Sequence, residues 1–306
     1  MSAAATATAT ATATAVRDEA LAFDCQGERL VGIVSKPAQA VSDLGLLVVV
    51  GGPQVRTGSH RQFTQLCRAV AAAGVPALRF DVRGMGDSSG APRTFEHIGD
   101  DIVAAIAALQ AHSPGVKRVV LWGLCDGASA ALMHLQATVD PRVAGLVLLN
   151  PWVRSAQTLA RAHVKHYYWN RLRQPEFWRK LLGGGVALKA ARDLLGNVRA
   201  ARGAGSNTHG AEATADMPFQ QRMLAGAEGF AGPTLWVLSG QDYTAKEFVE
   251  LVAAQARWQA VLRRGRAERM DMAEADHTFS TRADEDALAA ATLRWLRGLG
   301  AAGSAQ

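Results

Sequence analysis

Residues 116–137 run VKRVVLWGLCDGASAALMHLQA. Val116 to Trp122 has the length and β-branched content of a strand, and Ala128 to Ala137 is a run of small, helix-forming residues. Between them stands Gly123-Leu124-Cys125-Asp126-Gly127. A nucleophile held on a sharp strand-to-helix turn needs small residues two before and two after it, because its strained backbone draws neighbouring segments close. Gly123 and Gly127 supply them. A lone G-x-C-x-G is as readily an ordinary turn, so its weight comes from the strand before it and the slim helix after it. The N-terminus of that helix is expected to lower the thiol pKa of Cys125.

Outward from this turn, strands and helices alternate. Leu44 to Val50 (LGLLVVV) is a continuous apolar run ending in Gly51-Gly52-Pro53, the pattern of a strand buried on both faces. Ser59 is placed to cap a helix carrying Phe63, Leu66, Cys67 and Val70 at helical spacing, with Gly74 as its stop. Val75 to Asp81 is the next strand, leading to the glycine-rich turn Arg83-Gly84-Met85-Gly86-Asp87-Ser88, which Arg83 and Asp87 would tie down. Ile98, Ile102, Ile106 and Leu109 mark a second helix. Val143 to Leu149, Thr234 to Leu238 and Arg269 to Met272 are further strands, and Asp286 to Leu299 a closing helix. Leu21 to Phe23 and Leu30 to Val34 form an N-terminal strand pair, with Cys25 nearby as a structural residue. The order implies an α/β fold with a mostly parallel central sheet covered by helices on both faces.

The alternation breaks between Trp152 and Gly229. Residues 152–229 are expected to be an inserted helical, basic cap, with residues 17–151 and 230–300 as the core, residues 1–16 as a disordered Ala/Thr tail and 301–306 as a second tail. From Arg154 to Arg202 there are eleven Lys or Arg against Glu176 and Asp193, an excess of nine in a chain of net charge +6. Such a patch fits an anionic substrate or a membrane surface as well as it fits a solvated helical face. His163, His166, Tyr167, Tyr168 and Trp169 are substrate-contact candidates there, although an amphipathic helix packing on the core explains the aromatic group equally well.

Composition narrows the classes. With 306 residues, 49% hydrophobic and 20% charged, the chain can bury about three quarters of its unfolded surface, which excludes disorder or a fibrous repeat for most of it. Cys25, Cys67 and Cys125 show neither metal-ligand nor disulfide-framework spacing, so no metal and no cofactor is expected and a reducing, cytoplasmic setting fits. The Ala-Thr leader lacks the basic and apolar regions of a secretory signal. No apolar run reaches the roughly 18 residues of a membrane span, so no transmembrane segment is expected. Nor is a nucleic-acid partner, since the basic charge is localised.

A cysteine nucleophile needs a base and an orienting acid, and both occur after it in the chain. Asp242 follows the strand Thr234 to Leu238, and His277 follows the last strand in Glu274-Ala275-Asp276-His277-Thr278-Phe279. Asn150, after the preceding strand, is not acidic, which leaves Asp242 with Asp276 as its rival. Asp276 adjoins His277 in sequence and is poorly placed to reach its Nδ1. Acyl transfer also needs two N–H donors aimed at an oxyanion. Asp126 gives one; Pro53 has none, so the second comes from Gln54 or Gly52, with Gln54 favoured by the loop.

The α/β-hydrolase pattern covers residues of about 17 to 300, and VVVGGPQVRTGSHRQF, FDVRGMGDSSG and WGLCDGASA together resemble the exosortase A system-associated hydrolases of type 1. That resemblance implies the α/β-hydrolase fold, a Cys-His-Asp triad on Cys125, His277 and Asp242, and a cytoplasmic role beside exopolysaccharide export and PEP-CTERM protein sorting, with components of that system as partners. It implies no known substrate, and the Ala-Thr leader and the Gly-rich tract from Gly203 to Gly210 depart from it. A thiolate is a good leaving group as well as a good nucleophile. Activated acyl groups such as thioesters, lactones, enol esters or acetylated sugars are therefore the expected small-molecule substrates. An acyltransferase using the same acyl-enzyme and a non-catalytic scaffold of the export system remain as alternatives.

Overall fold

The computed structural model of the chain describes residues 15–39, 42–154 and 217–303. Eight strands form one sheet: β1 (Val16–Cys25), β2 (Glu28–Pro37), β3 (Leu44–Val49), β4 (Ala77–Phe80), β5 (Arg118–Leu124), β6 (Val143–Leu149), β7 (Thr234–Ser239) and β8 (Ala267–Met272). Their spatial order is β1-β2-β4-β3-β5-β6-β7-β8. The β1–β2 hairpin joins the sheet antiparallel through β2 and β4, and every pairing from β4 to β8 is parallel.

The apolar runs are continuous because both faces are covered. Leu47, Val49, Leu121, Leu146, Leu148, Trp236 and Leu238 point into one core cluster. Leu46, Val48, Val120, Trp122, Val147, Leu149 and Val237 alternate with them and point into the other. The first cluster is closed by helices α2 (Gly99–His112), α3 (Asp126–Ala137) and α4 (Phe219–Gly229), together with α5 (Tyr243–Ala254) and α6 (Ala256–Leu262). The second is closed by α1 (Gln62–Ala72) and α7 (Arg282–Gly303). Trp122 is a packing residue, its ring edge-on to Phe63 at 5.7 Å.

Several local expectations change. Ser59 does not cap α1: a single 3-10 turn, Ser59–Arg61, intervenes, and Arg61 stands at the cap with φ 62° and no side-chain cap bond. Val116 lies before β5, its N–H bonded to Ser113 O, so the strand starts two residues later. Arg83 does not pair with Asp87. Buried Arg83 forms a two-toothed pair with Asp101 on α2 at 2.9 Å, while Asp87 and buried Asp81 both receive Arg56 from the loop after β3.

The chain divides into two units, Met1–Val153 with Pro218–Gln306, and Arg154–Met217. Helix α4 was expected in the insertion. Instead, Met223, Leu224 and Ala227 are buried in the core cluster that holds Leu132 of α3. A carbon on Gly226 would strike the carbonyl of Leu132, so the two helices touch backbone to backbone. Most of the expected cap and basic patch, including His163, His166, Tyr167, Tyr168 and Trp169, lies outside the described residues, as do residues 1–14 of the tail.

Candidate active site

Cys125 occupies the junction of β5 and α3 with φ 56° and ψ −118°, a conformation that side-chain-bearing residues adopt only under constraint. The constraint is visible. The Cys125 N–H donates to Leu149 O on β6 at 2.9 Å, and Cys125 O accepts from the N–H groups of Ala128 and Ser129 as α3 begins. A carbon on Gly123 would lie 2.5 Å from Ala128 N, and one on Gly127 would collide with Val49 O of β3. Small residues two before and two after the cysteine are thus a packing requirement of this turn.

Asp242 follows β7 and caps α5, its carboxylate accepting from Thr244 N at 3.0 Å and Ala245 N at 3.1 Å. The same carboxylate meets His277 Nδ1 at 2.9 Å. Asp276 points elsewhere, into its own turn, where it accepts from Thr278 N and Ser280 N at 3.0 Å. Burial pushes the Asp242 carboxyl up, but its bond to His277, that ring's charge and the two backbone donors outweigh this, and the group lies below its ordinary value. The Asp242 bond in turn raises His277 above the usual imidazole value.

The thiol departs from expectation. Burial and the negative charges of Asp126 and Asp242 push the Cys125 thiol well above its ordinary value, outweighing the Asp126 N–H at the start of α3, which lowers it. On balance these causes favour the neutral thiol over the thiolate at Cys125. Buried Cys67 is pushed up to about 12 chiefly by desolvation, and Cys25 is raised chiefly by burial as well.

Among the described residues the Gln54 N–H meets no acceptor, whereas the Asp126 N–H donates to Cys125. The loop carrying Gln54 is anchored two residues later, where Arg56 N donates to Asp81 Oδ1 at 2.6 Å and the Arg56 guanidinium binds Asp81 and Asp87. Gly51 packs so tightly on the start of α3 that a side-chain carbon would overlap Gly127 N.

Asn150 was noted in the sequence only for not being acidic. In the structure it is fully buried at φ 43°, exchanges two 2.9 Å hydrogen bonds with Ser239 at the end of β7, and reaches His277 O at 3.4 Å. It thereby links the end of β6 to the end of β7 and to the loop that carries His277. The Asp126 side chain was likewise overlooked. No local pattern marks Asn150, because its partners are distant in sequence, and the fold sets the turn of the Asp126 side chain toward the adjoining Cys125. No group of residues able to hold a metal ion occurs among the described residues.

A cysteine on a strand-to-helix elbow at the C-terminal end of a central parallel strand, with a carboxylate-bound histidine beyond later strands, defines a site of the α/β-hydrolase class. The chain belongs to the alpha/beta hydrolase family, which it matches over residues 46–291. No curated protein matches it. Among solved structures it is similar to an esterase of Pyrococcus furiosus, at 16% identity and TM-score 0.60, covering 93% of this chain and 91% of that one. A Xanthomonas campestris α/β serine hydrolase described as lacking a lid matches at 15% identity and TM-score 0.53, with 92% and 94% covered. An α/β serine hydrolase homologue from Coxiella burnetii matches at 16% identity and TM-score 0.52, with 91% and 97% covered. Among the described residues no helix is long and apolar enough to cross a membrane.

Proposed function

We propose that the protein hydrolyses activated acyl esters or thioesters through Cys125, with His277 as base and Asp242 as its orienting acid. The observation that carries this is the strained Cys125 backbone, φ 56° and ψ −118°, in the same fold as a 2.9 Å His277–Asp242 contact. His277, fixed at Nδ1 by Asp242, takes the thiol proton at Nε2. The sulfur bonds to the acyl carbon while the N–H groups of Asp126 and Gln54 receive the carbonyl oxygen, and the alcohol or thiol leaves with the proton from His277. Water, deprotonated by the same histidine, then cleaves the thioester. Because sulfur leaves readily, an unactivated amide would revert to the enzyme and substrate, so the acyl group carries a good leaving group. The Lys- and Arg-rich stretch from Arg154 to Arg202 supports a phosphate-bearing or carboxylated carrier. The resemblance of the GGPQ, RTGSHRQF and GLCDG segments to exosortase A system-associated hydrolases supports a cytoplasmic role beside an exopolysaccharide and protein-sorting system.

The test is intact mass spectrometry after exposure to a panel of acyl thioesters and activated esters, beside Cys125→Ala and His277→Ala. An acyl adduct on the unsubstituted protein that Cys125→Ala lacks is the expected result. Turnover no faster than that of either variant across the panel would overturn the proposal.

A further inference from the structure

The Asp126 side chain has no part in the acyl chemistry set out above. Its Oδ1 lies 3.5 Å from Cys125 Sγ and accepts the thiol hydrogen bond. Its Oδ2 faces the loop after β3, where a side-chain carbon on Gly52 would stand 3.1 Å away. The groups acting on this half-buried carboxylate are Cys125 and His277, and among the described residues no lysine or arginine pairs with it. A carboxylate withdrawn from water without a cation is costly, and it is placed against a nucleophile.

We propose that Asp126 is a holding residue for Cys125: it keeps the thiol parked and protonated, and attack begins when the thiol turns from Asp126 to His277. This rests on Cys125 being the nucleophile of the proposed hydrolase. A thiol has one proton to donate, and given to Asp126 it is not given to His277. The titratable groups acting on the sulfur are Asp126 and Asp242, and both of these, with the adjoining Asp276, act on His277. All three carboxylates oppose thiolate or favour a charged histidine, so the resting site guards its sulfur against oxidation and stray electrophiles. The Asp126 carboxylate borders the loop that would receive a carbonyl oxygen. An acyl group entering there competes with it, which links release of the thiol to the arrival of substrate.

The experiment is the rate of Cys125 alkylation by iodoacetamide in the full chain from about pH 6 to about pH 10, resolved from Cys25 and Cys67 by peptide mass spectrometry. Asp126→Asn and Asp126→Ala are each expected to react about tenfold faster near neutrality, with the midpoint of the profile about one pH unit lower, since the thiolate is the reactive form. A purely structural role would not move that midpoint in the near-isosteric Asp126→Asn. The proposal is overturned if both folded variants keep the unsubstituted midpoint. It is equally overturned, whatever the variants do, if the unsubstituted protein titrates at or below free cysteine, about 8.5. An ester-turnover assay run in parallel separates the two claims. Cys125-dependent turnover with an unchanged profile removes only the holding role; a shifted profile without turnover removes only the hydrolase.

Discussion

At the edge of the sheet where β5 and β6 begin, arginines close the loops: Arg118 binds Asp43 at 2.8 and 2.9 Å, and Arg142 binds Asp140 at 2.9 Å. Backbones there are ordinary. At the opposite edge, beyond the C-terminal ends of β3, β5, β6 and β8, stand His60, Arg61, Cys125, Asn150 and Phe279, all with positive φ. The only other non-glycine residue of this kind among those described is Gln26, in the β1–β2 turn. One edge is tied by ion pairs that water screens, and the other holds residues in costly conformations with buried hydrogen bonds and packing. The proposed chemistry falls at the strained edge, where surrounding structure over-determines the backbone.

Substitutions at the two edges should separate sharply. Cys125→Ala should lower ester turnover by about 10³-fold or more while leaving the unfolding temperature nearly unchanged, measured by progress curves and calorimetry. Retained turnover would place the nucleophile elsewhere. Gly127→Ala drives a methyl group into Val49 O and should cost about 3 kcal/mol or more in chemical denaturation, or prevent folding.

Asp242→Asn should reduce kcat/KM by about 10²-fold and also move its pH dependence. The proposed mechanism needs neutral His277, and Asp242 raises His277 above 6.5, so the activity limb of the unsubstituted protein should rise above pH 6.5 and fall to lower pH in the variant. The stability linkage has the opposite sign. The raised His277 contributes stability that is full below its unfolded value and lost as pH rises through its folded one. The lowered Asp242 contributes above 3.8 and loses its share as pH falls through its folded value.

Asn150→Ala leaves the Ser239 N–H and the His277 carbonyl without their partner, and a loss of about 1–3 kcal/mol in denaturant titration is expected. Arg118→Ala, at the other edge, should cost less than about 1 kcal/mol and leave turnover unchanged, since its pair with Asp43 is partly exposed. A large effect there would erase the distinction between the edges.

Much of the fold was legible because apolar runs of strand length punctuated by glycine have few other interpretations. Val143–Leu149 matches its strand residue for residue, and Ile98, Ile102, Ile106 and Leu109 are all buried along α2. What was misread depended on partners far along the chain. The α4 segment lacks a strong apolar pattern and earns its place in the core by lying backbone to backbone on α3. Arg83 was expected to tie down its own glycine-rich turn, yet its guanidinium fits Asp101 on the following helix. The thiol of Cys125 was judged from the helix dipole alone. Burial, with two carboxylates, one adjacent in sequence and one beyond β7, reverses that judgement.

The sequence by itself determined the alternating elements, the glycine-flanked cysteine between β5 and α3, and the order of Asp242 and His277 after it, because these follow from local periodicity and steric need. Only the tertiary structure decided that His277 meets Asp242 and not its neighbour Asp276, that Asn150 links β6, β7 and the histidine loop, and that Asp126 turns its carboxylate onto the thiol. The first two outcomes depend on distances between segments far apart in sequence, and the third on the strained turn and the burial that strengthens charge there; none is written in any single stretch of chain.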